Sequence, residues 1–292
     1  MKTITFFSEK GGVGKSSLSM MFASVLNYKY GRKVALVDFN HRIVKYRRTE
    51  IKNRLNYIKN NPNTDIKPFD VEKAWPIFEV VEAEARALKQ NGYVQPYAEW
   101  FRRLVKKEDL GQYDIVVCDY PGAISEHGAF LDMLQHKQLD IVVIPTEKDE
   151  MTLDSTLRLH SLLKDYNHCC FINKAQLGLK NYRNAYLTLG SKLVKLGIPM
   201  LPDIITYSER MTTIDKVDII RSTFGFPDFS KPEYAAVSDL GLENLFIDIT
   251  RELNKTPDME NTPKVDLSFA DSLKKTDDGR YFRGSSYPQY EL

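Results

Sequence analysis

The sequence predicts an α/β fold in which helices flank a mainly parallel central sheet. Short apolar runs alternate along the chain with longer runs of helical period, which is typical of alternating strands and helices. The short runs are almost continuously apolar, as expected of strands that are covered on both faces. A glycine-rich loop follows the first of these runs and leads directly into a helix.

Six apolar runs predict the strands in order along the chain. They are residues 3–7, 34–39, 115–118, 141–144, 169–172 and 200–205. The helical periods predict four helices, at residues 15–30, 149–165, 180–196 and 234–253. The first helix is expected to end at Gly31, because glycine is common just beyond a helix C-terminus.

Two regions depart from this alternation. Residues 44–110 carry few strand signals and two helix-like stretches, around 71–89 and 96–107, which predict a helical insertion on the sheet rather than a second domain. Residues 255–292 are polar and rich in turn-forming residues, a composition typical of a loosely docked or disordered tail. We therefore expect one domain over residues 1–254, followed by that tail.

The composition excludes several classes of protein. With 42% hydrophobic and 27% charged residues, the 292-residue chain is in the ordinary globular range. Its 41 basic and 39 acidic residues are too balanced for a histone-like polycation, although residues 41–60 hold seven basic residues and one acid. The three cysteines lack the spacing of a zinc site or a disulfide framework. No apolar stretch is long enough for a signal peptide or a membrane span, so we expect a cytoplasmic protein.

The glycine-rich loop has the residue types that bind the phosphates of a nucleotide. Residues 9–17 read EKGGVGKSS, in which Glu9 occupies the position where the strict phosphate-loop pattern has a small residue. Glycines let successive backbone N–H groups turn toward one anion, and the following helix N-terminus adds partial positive charge. Lys15 is expected to contact the β- and γ-phosphates, and Ser16 to contact Mg²⁺. The residues predicted to bind the nucleotide are Gly11, Gly12, Val13, Gly14, Lys15, Ser16 and Ser17.

The segment KGGVGKSS resembles the deviant Walker A motif of the ParA/MinD family of P-loop ATPases, in which Lys10 occupies the position of the signature lysine. The resemblance implies a P-loop NTPase fold, with ATP and Mg²⁺ as ligands. It also implies an ATP-dependent homodimer in which Lys10 reaches the phosphates bound by the other subunit. A cation at that point acts as an arginine finger does, worth about 10³–10⁵-fold in rate.

Two predicted strands end in carboxylates that should accompany the loop. Ligands of parallel sheets bind at the carboxyl ends of the strands, so Asp38 and Asp119 are expected to face the phosphates. Asp119 resembles the Walker B aspartate that holds Mg²⁺, and residues 119–122 resemble the family's γ-phosphate switch. Asp38 matches the first acid of the family's other acidic motif. The predicted magnesium ligands are Ser16, Asp38 and Asp119.

The chain departs from the family at Asn40, where a second aspartate usually positions or activates the attacking water. An asparagine can hydrogen-bond water but cannot accept a proton. We therefore expect weak hydrolysis, or help from another group such as His41. Lys10, Asp38 and Asn40 form the predicted catalytic set.

Further resemblance covers about residues 1–250. Residues 144–146 look like the family's segment after the fourth strand, and Asn173 looks like the strand-end asparagine that reads the adenine edge. The insertion and residues 221–227 look similar to ParA-like partition proteins of plasmids and conjugative elements. The resemblance implies nonspecific DNA binding as an ATP dimer, a ParB-like adaptor protein, and association with the nucleoid when ATP is bound.

The sequence also bears on other branches of the family and on other functions. The membrane-binding branch needs a basic amphipathic C-terminal helix, and the ending SSYPQYEL has a proline and no apolar face. An iron–sulfur reductase needs exposed cysteines, whereas all three cysteines fall in predicted strands. A bacterial-type tyrosine kinase, suggested by Tyr281, Tyr287 and Tyr290, and a nucleotide-gated scaffold with negligible hydrolysis stay open as alternatives. The candidate DNA contacts are residues 42–59, Lys180 with Arg183, and Lys192 with Lys195.

Overall fold

The computed structural model describes residues 1–63, 75–80, 82–122, 128–175, 180–206, 242–255, 273–275 and 281–283. The chain divides into two compact units. Among the described residues, the first unit contains those in the ranges 1–6 and 15–140, and the second contains those in the ranges 7–14, 141–206, 242–255, 273–275 and 281–283. The glycine-rich loop is therefore continuous in sequence from the second unit into the first.

The first unit holds four parallel strands in the order β3-β2-β4-β1. They are β1 (Lys2–Phe6), β2 (Val34–Asp38), β3 (Ile77–Glu79) and β4 (Ile115–Asp119). Strand β4 pairs with β1 on one side and with β2 on the other, and this register places Asp38 opposite Asp119. The pairing thus brings the two strand-ending carboxylates side by side.

The helices of the first unit cover both this sheet and its edge. They are α1 (Lys15–Ser24), which continues as a π-helix at Val25–Lys29, α2 (Arg42–Asn60), α3 (Glu82–Gln90), α4 (Pro96–Lys107) and α5 (Ala129–Gln135). A short 3₁₀ helix, Leu110–Gln112, precedes β4. Buried Phe6 of β1 and Phe22 of α1 meet edge to face with ring centroids 5.7 Å apart, which anchors the first helix to the first strand.

The second unit holds three parallel strands in the order β5-β6-β7. They are β5 (Ile141–Thr146), β6 (His168–Ala175) and β7 (Met200–Thr206). The helices of this unit are α6 (Glu150–Leu162), α7 (Lys180–Lys195) and α8 (Leu242–Asn254). Helix α8 buries Leu245, Phe246 and Ile249 and packs on β5 and β7. Nearer the C-terminus, β8 (Leu273–Lys275) and β9 (Tyr281–Arg283) pair antiparallel.

The predicted α/β fold with a mainly parallel sheet flanked by helices is confirmed. All six predicted strands are present, and no bound shifts by more than three residues. The first helix differs from the prediction, because it continues as a π-helix that ends at Lys29, two residues before Gly31, whose φ is +63°. No helix in the described ranges is long and apolar enough to cross a membrane.

The prediction for residues 44–110 is wrong in two details. Strand β3 lies within the predicted helix 71–89, because three residues are enough to pair with β2 but too few to show a period of two. Helix α2 was not predicted, because charged residues dominate it and its buried positions include Arg47. Helix α4 is at residues 96–107 as predicted. The proposed domain bounds, the insertion as a unit and the predicted tail stay predictions.

Candidate nucleotide-binding site

The phosphate loop joins β1 to α1 with the backbone that its glycines permit. Gly12 and Gly14 have φ of +80° and +89°, a region that residues with a side chain rarely adopt. Between them, the Val13 side chain is fully buried and fixes the loop. Gly11 and Gly12 are exposed, which leaves their backbone accessible. The loop therefore has the open, glycine-lined form that an anion requires.

Lys15 is a buried cation at the first position of α1, and only 8% of the residue is exposed. Burial lowers the pKa of Lys15, and the charge of Asp119 opposes that shift. The charge of Arg42, at the start of α2, lowers the pKa of Lys15 further. A buried ammonium with such neighbours gains strongly from an incoming anion.

Ser16 and Asp119, two of the three predicted magnesium ligands, are in direct contact. The Ser16 hydroxyl donates a hydrogen bond of 2.7 Å to Oδ2 of Asp119. Asp119 is fully buried, and its Oδ1 has no hydrogen-bond partner among the described residues. Burial raises the pKa of Asp119 to about 7, while the hydrogen bond from Ser16 lowers it and the charge of Asp38 raises it. An orphaned buried carboxylate oxygen beside a hydroxyl fits a divalent cation with oxygen ligands.

Asp38 holds the start of α2 in this structure. Its Oδ1 accepts the backbone N–H of Asn40 at 3.0 Å, and its Oδ2 accepts the backbone N–H of Val44 at 2.9 Å. Burial raises the pKa of Asp38, and these backbone hydrogen bonds oppose the shift. Asp38 therefore fixes the Asn40 segment and orients the first turn of α2.

The other members of this segment face different partners. The nearby amide of Asn40 lowers the pKa of Asp119, after the larger effects of burial, Ser16, Asp38 and Lys15. His41 has a left-handed backbone with φ of 57°, and its Nδ1 lies 3.1 Å from Oε1 of Glu79 on β3. Asn40 is thus next to the predicted magnesium ligand, whereas His41 is turned to the edge strand. We call Lys15, Ser16, Asp38, Asn40 and Asp119 the carboxylate cluster.

Two aromatic residues join the strand ends behind the carboxylate cluster. Phe39 and Tyr120, each one residue beyond an aspartate, stack with ring centroids 4.5 Å apart. Trp100 of α4 meets Phe39 edge to face at 5.8 Å. The helix α4 of the predicted insertion therefore packs directly on the residue between Asp38 and Asn40.

Lys10 is held by two carboxylates that follow β5. Its Nζ donates to Oδ2 of Asp149 at 2.6 Å and to Oε2 of Glu147 at 3.3 Å. Burial lowers the pKa of Lys10, but Asp149 and Glu147 outweigh it and raise the pKa. Asp149 also caps α6 by accepting the Thr152 N–H at 3.1 Å. Burial acts to raise the pKa of Asp149, and the hydrogen bonds from Lys10 and Thr152 bring it down to about 2.

The end of β6 is tied to the phosphate loop. Nδ2 of Asn173 donates to the Val13 carbonyl at 2.9 Å. Lys174 donates to the Gly12 carbonyl and pairs with Oε1 of Glu147 at 2.9 Å. Lys174 has φ of 52°, an uncommon conformation for a residue with a side chain, which is typical of functional sites. We call Lys10, Glu147, Asp149 and Lys174 the lysine cluster.

The departure of the loop at Glu9 also has a structural role. The Glu9 carboxylate pairs with the Arg158 guanidinium, 2.6 Å from Nη2 and 3.0 Å from Nε. Its backbone N–H donates to the Ser155 hydroxyl at 3.2 Å. A small residue at this position would lack the ion pair with α6.

Most of the predicted residues lie in one or other of these groups. Within the first unit, the structure brings Lys15, Ser16, Asp38, Asn40 and Asp119 together. Within the second, one network of hydrogen bonds and ion pairs includes Lys10, Gly12, Val13 and Asn173. The sequence predicted only part of this network. It missed Glu147, Asp149 and Lys174, although polar residues at the ends of β5 and β6 were a usable signal. Residues 221–227, Tyr287 and Tyr290 lie outside the described residues.

Comparisons with known proteins agree with this fold. MinD from Aquifex aeolicus, in a MinC:MinD cell division complex, matches with a TM-score of 0.54 and 18% identity over 84% of this chain and 96% of that chain. An ATP complex of McdA from Cyanothece matches with a TM-score of 0.50 and 18% identity over 82% and 96%. At this identity, these similarities establish the fold alone. No curated protein sequence matches significantly.

A family comparison goes further than the fold. The profile described as "ATPase MipZ" matches residues 2–158, more than half of the chain. The match contains the phosphate loop, both strand-ending aspartates and the residues that hold Lys10. It confirms the resemblance to P-loop ATPases of the ParA/MinD type, and the chain therefore belongs to the ATPase MipZ family.

Proposed function

We propose that this protein is an ATP-dependent dimeric switch of the ParA/MinD type that binds DNA nonspecifically, in DNA partitioning or the maintenance of a mobile element. The observation that carries the proposal is the 2.7 Å hydrogen bond from Ser16 to Asp119 next to the buried Lys15. These groups supply a cation for phosphate and oxygen ligands for Mg²⁺.

The carboxylate cluster is where we place Mg²⁺ and the terminal phosphates. Ser16 and Asp119 would hold the ion, since Oδ1 of Asp119 has no hydrogen-bond partner among the described residues. When bound, Mg²⁺ neutralises charge on the phosphates. Asp38 already accepts two backbone N–H groups, so its part is to position Asn40 and add negative charge. Lys15 binds the phosphates as a buried cation.

Hydrolysis is expected to be slow. Asn40 can orient a water near the phosphates but cannot take its proton. The other candidate, His41, is paired with Glu79 on β3. Slow turnover gives a long-lived ATP state, as a timing switch needs. Asn40 also favours a second candidate function, a nucleotide-gated scaffold whose hydrolysis is negligible.

Lys10 is proposed to act across a homodimer. In the single chain it pairs with Asp149 and Glu147, so it must exchange these partners to reach the phosphates of another subunit. Asn173 is proposed to bind the edge of the adenine base. Its hydrogen bond to the Val13 carbonyl holds it next to the phosphate loop. A ParB-like adaptor would then stimulate hydrolysis, and the ATP dimer would associate with the nucleoid.

The test compares the protein with ATP, with ADP and without nucleotide. Light scattering gives the oligomeric state, and binding to a fluorescent duplex gives the DNA affinity at two salt concentrations. We expect a dimer and salt-sensitive DNA binding with ATP alone, with little dependence on base sequence. Equal DNA binding with and without nucleotide would refute the switch. A dimer that forms with ATP but never hydrolyses it would favour the scaffold.

A further inference from the structure

The outward side of α2 carries a row of basic residues. Lys45, Arg48, Lys52 and Lys59 are all exposed. Their spacing of three, four and seven residues places them within about 60° around the helix and over about 21 Å along it. The helix contains one acidic residue, Glu50, at a position on the other side. We call these four residues the α2 basic stripe.

Few negative charges in the described part of the chain offset the stripe. Arg48 pairs with Oε2 of Glu79 at 2.8 Å and is still 71% exposed at its side chain. Among the side chains that the structure describes, no carboxylate is within ion-pair distance of Lys45, Lys52 or Lys59. Three ammonium groups are therefore available to an external anion.

The opposite side of α2 is fixed in the first unit. Ile43 and Val44 are buried, and Arg47 donates to the Trp75 carbonyl at 2.8 Å with its guanidinium 4.7 Å from the centre of the Trp75 ring. The Trp75 indole in turn donates to the Ser24 hydroxyl at 3.0 Å. The first turns of α2 are thus anchored in the unit, whereas its second half, with Leu55 and Tyr57 about half exposed, extends the stripe toward solvent.

The first turn of α2 is part of the nucleotide site. The Asp38 carboxylate accepts the Val44 N–H, and the charge of Arg42 acts on Lys15. A rearrangement of the segment between Asp38 and Arg42 would therefore change the direction or position of the whole helix. The stripe is the one basic row in the described part of the chain that begins from this segment.

We propose that the α2 basic stripe binds the phosphate backbone of duplex DNA. This inference rests on the proposed function and names the surface through which it operates. A row of cations recognises a regular array of phosphates without reading bases. An anionic membrane is the less suitable partner, because a helix that lies on a membrane must insert a continuous apolar face. Ile43 and Val44 of α2 are buried, and the exposed apolar residues Leu55 and Tyr57 lie two positions apart, on different sides of the helix.

The test replaces the three exposed lysines of the stripe together, as Lys45→Gln, Lys52→Gln and Lys59→Gln. The matched control replaces exposed lysines of α3 and α4, as Lys89→Gln, Lys106→Gln and Lys107→Gln, which removes the same charge. Duplex binding is measured with ATP over a range of salt. The stripe variant should bind at least about tenfold more weakly, and its slope of log affinity against log salt should fall by about one per lysine. The control variant and the ATP affinities of both should match the wild type.

The outcomes separate this inference from the proposed function. Equal weakening in both variants would mean that only net charge matters and would overturn the inference. An unchanged stripe variant beside a wild type that binds DNA would place the contact on another surface, with the proposed function intact. A wild type that binds no duplex in any nucleotide state would refute the DNA function itself. Stripe-dependent binding to phosphatidylglycerol vesicles instead of duplex would establish the membrane as partner and overturn the inference.

Discussion

The carboxylate cluster buries Asp38 and Asp119 beside one buried cation, whereas the lysine cluster holds two lysines and two carboxylates that are partly exposed. The pKa of an aspartate shifts in opposite directions in the two clusters. The pKa of Asp119 rises to about 7, mainly through burial, and the pKa of Asp149 falls to about 2 despite burial, through its bonds to Lys10 and Thr152. An added cation would therefore favour the charged form of Asp119 in the first cluster, whereas the charges of the second cluster are already paired within the chain. Binding of the nucleotide and use of Lys10 should therefore be separable.

The largest expected effect is that of Lys15→Ala on ATP binding. Removing one partner of a buried, hydrogen-bonded charge pair costs about 2–5 kcal/mol, or about 30- to 4000-fold in affinity. Calorimetry with MgATP measures it. Lys33→Ala, which removes an exposed lysine just before β2, is the control and should bind ATP within a few-fold of the wild type. Wild-type affinity in Lys15→Ala would break the assignment of the carboxylate cluster as the phosphate site.

Lys10→Ala tests the lysine cluster in the same way. ATP affinity should stay close to that of the wild type, because Lys10 is engaged by Asp149 and Glu147 in the single chain. The ATP-dependent dimer should dissociate about 30-fold more readily or more, as expected when a charge partner across an interface is lost. Sedimentation at several protein concentrations gives the constant. Normal dimerisation would exclude a role for Lys10 across the interface.

Asn40→Asp tests the chemistry of the carboxylate cluster. A carboxylate can take the proton of the attacking water, and general-base help is typically worth about 10²–10⁴-fold, of which the asparagine already supplies the orientation. We expect single-turnover hydrolysis of pre-bound ATP to rise about tenfold or more. Measuring the cleavage step separates this gain from weaker binding caused by a third negative charge beside Asp38 and Asp119. No gain in the intact dimer would show that Asn40 does not limit hydrolysis.

Asp149→Asn should release Lys10 while keeping the cap of α6, since asparagine caps a helix as well as aspartate does. A partly exposed ion pair contributes about 0.5–1 kcal/mol, so the ATP dimer should form about two- to fivefold more readily. Asp149→Ala is the control, because it also loses the cap and should lower stability by about 1 kcal/mol. Dimer formation weaker in Asp149→Asn than in the wild type would mean that Asp149 itself contributes to the interface.

The smallest effect concerns pH and the second unit alone. Nδ1 of His160 lies 2.9 Å from Nε2 of His168, and burial lowers the pKa of both. The unfolded chain then takes up protons first, so this pair contributes stability above about pH 6.5 that is lost as the pH falls toward the lowered values. Urea unfolding between pH 7 and 5.5 should show a loss of a few tenths to about 1 kcal/mol that His168→Gln reduces. An identical pH dependence in that variant would assign the loss to other groups.

The parts of the site that the sequence predicted are those fixed by local patterns. Lys15 and Ser16 were predicted from the glycine-rich loop and the helix after it. Asp38 and Asp119 were predicted because each of them ends an apolar strand. The lysine cluster was missed because it depends on which strands are neighbours: Lys174 meets Glu147 only because β6 pairs with β5. Helix α2 was missed because its inner side is held by an arginine stacked on Trp75, which no hydrophobic period reports.

The packing of the two tryptophans has a practical consequence. The chain contains only Trp75 and Trp100. Trp75 supports α2 through Arg47, and Trp100 packs edge to face on Phe39, the residue between Asp38 and Asn40 in the sequence. Indole emission depends on polarity and on nearby charges, so each ring is a built-in optical probe of the segment it supports. Rapid mixing with nucleotide could thus follow that segment in the unlabelled protein, and a single Trp→Phe replacement would tell which of the two moves first.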